Sequence, residues 1–165
     1  MRRLLIMLLP LLLLAPALRA QASKPAAPTV PPLLDRELFF GNPEIAGAEL
    51  SPDGRYIAFL KPWKNTRNIW VKKVDEPISA ARLLTAETKR PIAGYFWSSD
   101  GKYVLYVKDQ NGDENFNLFA IDPAAAPAPG ADAPVSRNLT AVKGVRVEIF
   151  SLPKHNPDVA YNGLN

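Results

Sequence analysis

Apolar residues in this chain collect in short runs of four to six, separated by clusters of Pro, Gly, Asp, Asn and Ser. Runs of that length, rich in aromatic and β-branched residues and bounded by turn residues, predict strands rather than helices. Ala46 to Leu50, Tyr56 to Leu60, Asn68 to Val74 and Ala81 to Thr85 form a first set of four. Tyr56 to Leu60 is continuously apolar, as expected of a strand covered on both faces. Asn68 to Val74 alternates, with Ile69 and Val71 opposed to Trp70 and Lys72. A second set follows in the same order: Ile92 to Trp97, Tyr103 to Val107, Asn117 to Asp122 and Arg137 to Ala141. A third begins with Val145 to Phe150 and a return strand from Asp158 to Tyr161.

The sets are related by repetition. Leu50-Ser-Pro-Asp-Gly-Arg-Tyr56 recurs, 47 residues on, as Trp97-Ser-Ser-Asp-Gly-Lys-Tyr103. Pro52 presets φ in the first turn, and Gly54 and Gly101 suit the turn ends. Asn68-Ile-Trp-Val71 is matched by Asn117-Leu-Phe-Ala120, and Arg82-Leu-Leu-Thr-Ala86 by Arg137-Asn-Leu-Thr-Ala141. In the third set the tight turn is replaced by Ser151-Leu-Pro-Lys-His-Asn-Pro157. Four-stranded units repeating every ~40–50 residues mark the blades of a β-propeller. The predicted fold is all-β: a partial propeller of about two and a half four-stranded antiparallel blades, at 46–86, 92–141 and 145–165. Tyr56, Phe59, Phe96, Trp97, Tyr103 and Tyr106 are the large groups expected to fill the spaces between blades. Propellers close with 4–8 blades, so the chain is expected to be the opening of a longer one or to close by association. Pro123 to Pro134, rich in Ala and Pro, is expected to be an exposed flexible loop.

Ahead of the repeats, residues 1–22 read as a secretory signal. Arg2 and Arg3 precede an apolar run from Leu4 to Leu14, and small residues place cleavage after Ala22 or after Ala20. The run is short of the ~20 residues of a membrane span, so no stable membrane insertion is expected after cleavage; an uncleaved anchor is the alternative. Export to the periplasm or the extracellular space follows. Residues 23–34 hold four prolines and are expected to be an extended linker. Asp35 is placed to cap a short helical turn carrying Leu38 and Phe39.

Composition narrows the chemistry. The chain has no cysteine, which removes disulfides, thiolate metal sites and cysteine nucleophiles, and one histidine, His155. The formal charge of +4 comes largely from Arg2, Arg3 and Arg19; without residues 1–22, 17 basic face 16 acidic residues. No basic stripe of the kind that binds nucleic acid is present, so no nucleic-acid partner is expected. A serine nucleophile needs a base within hydrogen-bond reach, oriented by a third group. His155 is the only imidazole and is expected to be an exposed loop residue. Asp109, Asn111 and Asp113 have the spacing that opens a calcium loop, but positions six and twelve are Glu114 and Ala120 rather than Gly and Glu. A hairpin connection with Asn111-Gly112 at its tip is the simpler reading. Trp70 and Trp97 are expected in the core, and Trp63 exposed in a loop. No catalytic residue, cofactor or metal is assigned.

Taken in order, Leu38-Phe-Phe-Gly-Asn-Pro43, Leu50-Ser-Pro-Asp-Gly54, Asn68-Ile-Trp-Val71, Tyr95-Phe-Trp97, Asp109-Gln-Asn-Gly-Asp-Glu-Asn115 and Asn117-Leu-Phe119 make residues 33–165 resemble the N-terminal propeller of the prolyl oligopeptidase family of secreted serine peptidases, in its dipeptidyl and acylaminoacyl peptidase branch. The resemblance implies an α/β-hydrolase domain after the propeller, with a Ser-Asp-His triad and the serine in Gly-x-Ser-x-Gly. This chain contains no such motif. The implied role is to gate short peptides and support the absent hydrolase domain, without catalysis by this chain alone. Some family members hold a substrate's amino terminus with propeller carboxylates, a role open to Glu114. The alternative is a non-catalytic TolB-like module closed by self-association.

Overall fold

The computed structural model describes residues 31–41, 43–110 and 112–165. The expected signal segment, most of the linker, Asn42 and Asn111 lie outside the described residues. Of the described residues, 31–41 and those from 43 onward fall in separate units. In the first, α1 (Glu37–Phe40) is a single turn, and the Glu37 N–H donates to the Asp35 carboxylate at 3.0 Å. The N-cap position is Arg36, without a side-chain cap, so Asp35 braces the turn from one residue earlier than a cap, and Leu38 and Phe39 are exposed.

The second unit is all-β. The first sheet orders β1 (Ala46–Leu50), β2 (Tyr56–Trp63), β3 (Thr66–Lys73) and β4 (Arg82–Leu83), all antiparallel. The second repeats that order with β5 (Tyr95–Trp97), β6 (Val104–Lys108), β7 (Asn117–Ile121) and β8 (Arg137–Asn138). The third has two strands, β9 (Val147–Ser151) and β10 (Tyr161–Leu164), joined by the long connection read from the sequence. Two four-stranded sheets and a third two-stranded one are the partial-propeller architecture that the repeat predicts.

Alternate residues of each strand point to opposite faces, and both faces of the second sheet are used. Val104, Tyr106 and Ile121 pack with Ala58, Leu60, Ile69, Val71 and Leu84 of the first sheet, joined by Tyr95 and Trp97. On the other face Leu105, Leu118 and Ala120 pack with Val147, and Ile149 and Leu152 lie against them. Burial on both faces explains why β2 and β6, the second strands of the four-stranded sheets, carry consecutive buried apolar residues without alternation.

Several details differ from expectation. β2 continues to Trp63, because Lys64 (φ 47°) and Asn65 (φ 63°) form a two-residue left-handed turn that lets β2 and β3 pair to their ends. Trp63 is thus a half-buried strand residue with the Lys64 ammonium 4.1 Å from its ring centre, not an exposed loop residue. Tyr103 is exposed under the Arg137 guanidinium instead of filling a gap between sheets, because it precedes the strand. Its place in the core is taken by Tyr95, whose hydroxyl lies 2.5 and 2.6 Å from the carbonyl oxygens of Gly47 and Ala58 and shares its proton between them. The register shift between Ala46 and Glu49, at Gly47 (φ 55°), aims one of those carbonyls. The Pro123–Pro134 segment is tethered rather than free: Pro123 and Pro134 are buried, and Arg82 donates to the Ala125 carbonyl at 2.7 Å.

Candidate functional site

Three groups of side chains carried the sequence-level chemistry, and the fold places them apart. The first is the pair of Ser-x-Asp-Gly turns. Ser51 donates its hydroxyl proton to Asp53 at 2.6 Å and accepts the Tyr56 N–H at 2.9 Å. Ser98 does the same with Asp100 and Tyr103 at the same distances. Each carboxylate also accepts an N–H and a cationic side chain two residues on: Arg55 at 3.1 and 2.6 Å, Lys102 at 3.0 and 3.0 Å. The Ser51 hydroxyl, supported by Arg55, draws the Asp53 carboxyl down to about 2 against the effect of desolvation. At Asp100 partial burial favours the neutral acid, yet Ser98 and Lys102 outweigh it and the pKa is lowered. Both serines spend their proton and an acceptor position inside their turn, which is a structural arrangement and not that of a nucleophile beside a base.

The second group lies at the end of the second sheet where β6 runs into β7. Here the connector between the first two sheets meets the 109–116 loop in a cleft of about 240 Å³. Asp109 is turned inward, its side chain 3% exposed, with the Arg90 guanidinium 3.3 Å away and the Glu114 N–H donating to it at 3.3 Å. Lys108 pairs with Glu87 and lies 5.0 Å over the Phe119 ring. Arg67 donates to the Ile92 carbonyl at 3.0 Å, holding the connector down. Asp113 accepts the N–H groups of Gln110 and Asn115 at 3.0 and 3.1 Å, and these donors lower its pKa. The carboxylates of the calcium-like spacing therefore diverge: Asp109 faces the connector and Asp113 caps its own loop. Among the described residues no three His, Cys, Asp or Glu side chains converge on a point suited to a metal ion. Glu114 is exposed with φ 58°, presenting its carboxylate to solvent at the loop tip. Among the described residues, what this end offers a ligand is the exposed Glu114 carboxylate beside a network of paired cations and acids. The third group is His155, exposed in the β9–β10 connection.

A side-chain lock, for which nothing local in the sequence predicts a role, recurs in the two four-stranded sheets. Asn68, wholly buried, accepts the Thr85 hydroxyl and the Glu87 N–H at 2.9 and 2.8 Å and donates to the carbonyls of Thr66 and Glu87. Asn117 accepts the Thr140 hydroxyl at 2.8 Å and the Val142 N–H at 3.2 Å, and donates to the Val142 carbonyl at 3.2 Å. The signal in the sequence is the recurrence of Asn68 as Asn117 and of Leu84-Thr85 as Leu139-Thr140.

No protein-family model matches the chain. Over 148 residues, 88% of its length, it is 37% identical to dipeptidyl aminopeptidase BIII of Pseudoxanthomonas mexicana, covering 20% of that protein. Over 88 residues, 53% of its length, it is 31% identical to dipeptidyl peptidase family member 6 of Caenorhabditis elegans, covering 12% of it. The stacked antiparallel sheets and these identities lead to one statement: the chain is homologous to part of the dipeptidyl peptidases it matches, and spans a fifth or less of their length.

Proposed function

We propose that this chain is the N-terminal propeller region of an exported serine peptidase of the prolyl oligopeptidase family, in its dipeptidyl peptidase branch. In the whole protein the stacked sheets gate short peptides and support an α/β-hydrolase domain that supplies the nucleophile, base and oxyanion donors. The observation that carries this reading is the 37% identity, across 88% of the chain, to an aminopeptidase of which it covers 20%. The test is to sequence the gene beyond the codon for Asn165 and to assay the purified chain on dipeptidyl chromogenic substrates. Further blades, a Gly-x-Ser-x-Gly motif and no hydrolysis by the chain alone are expected. Unrelated downstream sequence, or turnover by the chain alone, would overturn it. Export is tested by cell fractionation and cleavage by N-terminal sequencing of the exported protein; a start at Gln21 or Ser23 is expected, recovery from the cytoplasm alone refutes export, and an intact Met1 refutes cleavage.

One observation favours a second reading, a TolB-like module that closes by self-association. Among the described residues β10 pairs only with β9, and Phe150 of β9 and Tyr161 and Leu164 of β10 are exposed. Sedimentation separates the two: a single discrete oligomer of two or three copies supports self-closure, and a monomer or heterogeneous aggregate supports the peptidase region.

A further inference from the structure

We propose that the connection between β7 and β8 is a strap that fastens the second sheet to the first, so that the seam between them opens only when the strap lets go. The corresponding connection in the first sheet, residues 74–81, closes on its own sheet: the Lys72 ammonium donates to the carbonyls of Lys73, Val74 and Glu76. The connection in the second sheet, residues 122–136, is longer and reaches out. It leaves through buried Pro123 and returns through buried Pro134. Between them it is held at two points, both on the first sheet. Arg82, paired with Val71 near one end of β3, donates to the Ala125 carbonyl at 2.7 Å. Lys64, in the turn before the other end of β3, reaches Asp132 at 3.3 Å.

What lies beneath belongs to the seam. The strap borders a cleft of about 340 Å³ whose walls include Leu84, Tyr106 and Phe119 together with the Glu87–Lys108 ion pair. Tyr106 donates to Ser136 at 2.7 Å, tying the strap's root to the core aromatic stacked on Phe119. The two anchors differ in kind. The Lys64–Asp132 pair is about 60% exposed on both sides and is weakened by salt, whereas the Arg82 anchor uses a main-chain acceptor that no screening removes. The Asp132 end is therefore the one that releases first.

The test begins on the unmodified full chain. A zero-length carbodiimide reagent should join Lys64 to Asp132 as an amide, found by peptide mass spectrometry at low salt and reduced several-fold at 1 M salt. The Lys61–Glu44 and Lys73–Glu76 pairs serve as internal controls. Control links without a 64–132 link would overturn the proposal. Hydrogen exchange of the same chain at low and high salt gives a readout free of mutation. Release should speed exchange several-fold in residues 82–87 and 104–108 together and leave 147–164 unchanged. The Arg82→Ala/Asp132→Ala variant should do so more strongly. Acceleration confined to residues 124–135 would show an unfastened loop and refute the strap.

Discussion

Asn68 has no access to solvent, yet each polar atom of its side chain has a partner inside one unit of the fold. A buried amide is tolerated only on that condition, because an unsatisfied partner left behind costs about 1–3 kcal/mol. Asn68→Ala strands the Glu87 N–H and the Thr85 hydroxyl, and should destabilise by about 3 kcal/mol in urea unfolding at unchanged m. Asn117→Ala should cost about half as much, since its bonds to the main chain of Val142 are longer, at 3.2 Å each, and its site is 6% exposed. Equal losses would show that the two locks do not differ as the geometry says. The turn carboxylates contribute to the acid limb of stability. A carboxylate with a depressed folded pKa stabilises above its unfolded value of ~3.9 and loses that contribution as pH falls through the folded value. For Asp53 the window runs from about pH 4 down to about 2. The Asp53→Asn/Asp100→Asn variant should show a flatter fall of the melting temperature between pH 5 and pH 2 than the native chain. Parallel curves would remove the turns from the acid transition.

At the scale of elements, the two tight turns are alike in conformation but not in surroundings. Gly54 (φ 73°) and Gly101 (φ 72°) both occupy the left-handed region, where a side chain costs roughly 1 kcal/mol. A Cβ on Gly54 meets nothing within 4 Å, whereas one on Gly101 would lie 3.1 Å from the Asp53 carboxyl carbon of the neighbouring turn. Gly101→Ala should therefore be the more destabilising substitution, by about 1 kcal/mol or more beyond Gly54→Ala; the comparison needs only paired thermal melts, and equal shifts would refute it. These turns were legible in the sequence because Ser, Asp and Gly act through bonds to residues two to five positions away. So were the strands, whose apolar runs report burial on both faces. The contacts that cross between units were not legible. Nothing local distinguishes Tyr95, which reaches the first sheet, from Tyr103, which meets water. Nothing in Ala-Pro composition foretells that Arg82 and Lys64 bind that segment. At the charged end, the spacing of Asp109 and Asp113 was visible, but not that one carboxylate turns in to Arg90 and the other serves its own backbone.

For the second unit as a whole, stability should be uneven. The first two sheets share one core of eleven buried residues and are further joined through Tyr95 and Arg82. The third sheet has two strands and meets the second through a smaller cluster centred on Val147. An isolated pair of strands is marginal in water, so amides of residues 147–164 should exchange ahead of those in β2, β3 and β6. Simultaneous exchange throughout would show a single cooperative unit instead. The nesting of Gly101 against Asp53 has a consequence for how such a chain can lengthen. From Ser51 to Ser98 the repeat is 47 residues, from Asn68 to Asn117 it is 49, and from Thr85 to Thr140 it is 55. The units are pinned in phase at the turn and drift steadily out of phase toward β4 and β8. Insertions are thus absorbed at the far margin, away from the pinned Ser-x-Asp-Gly turns, and a gapless self-comparison of the sequence will see only the half of each unit that lies nearest the pin.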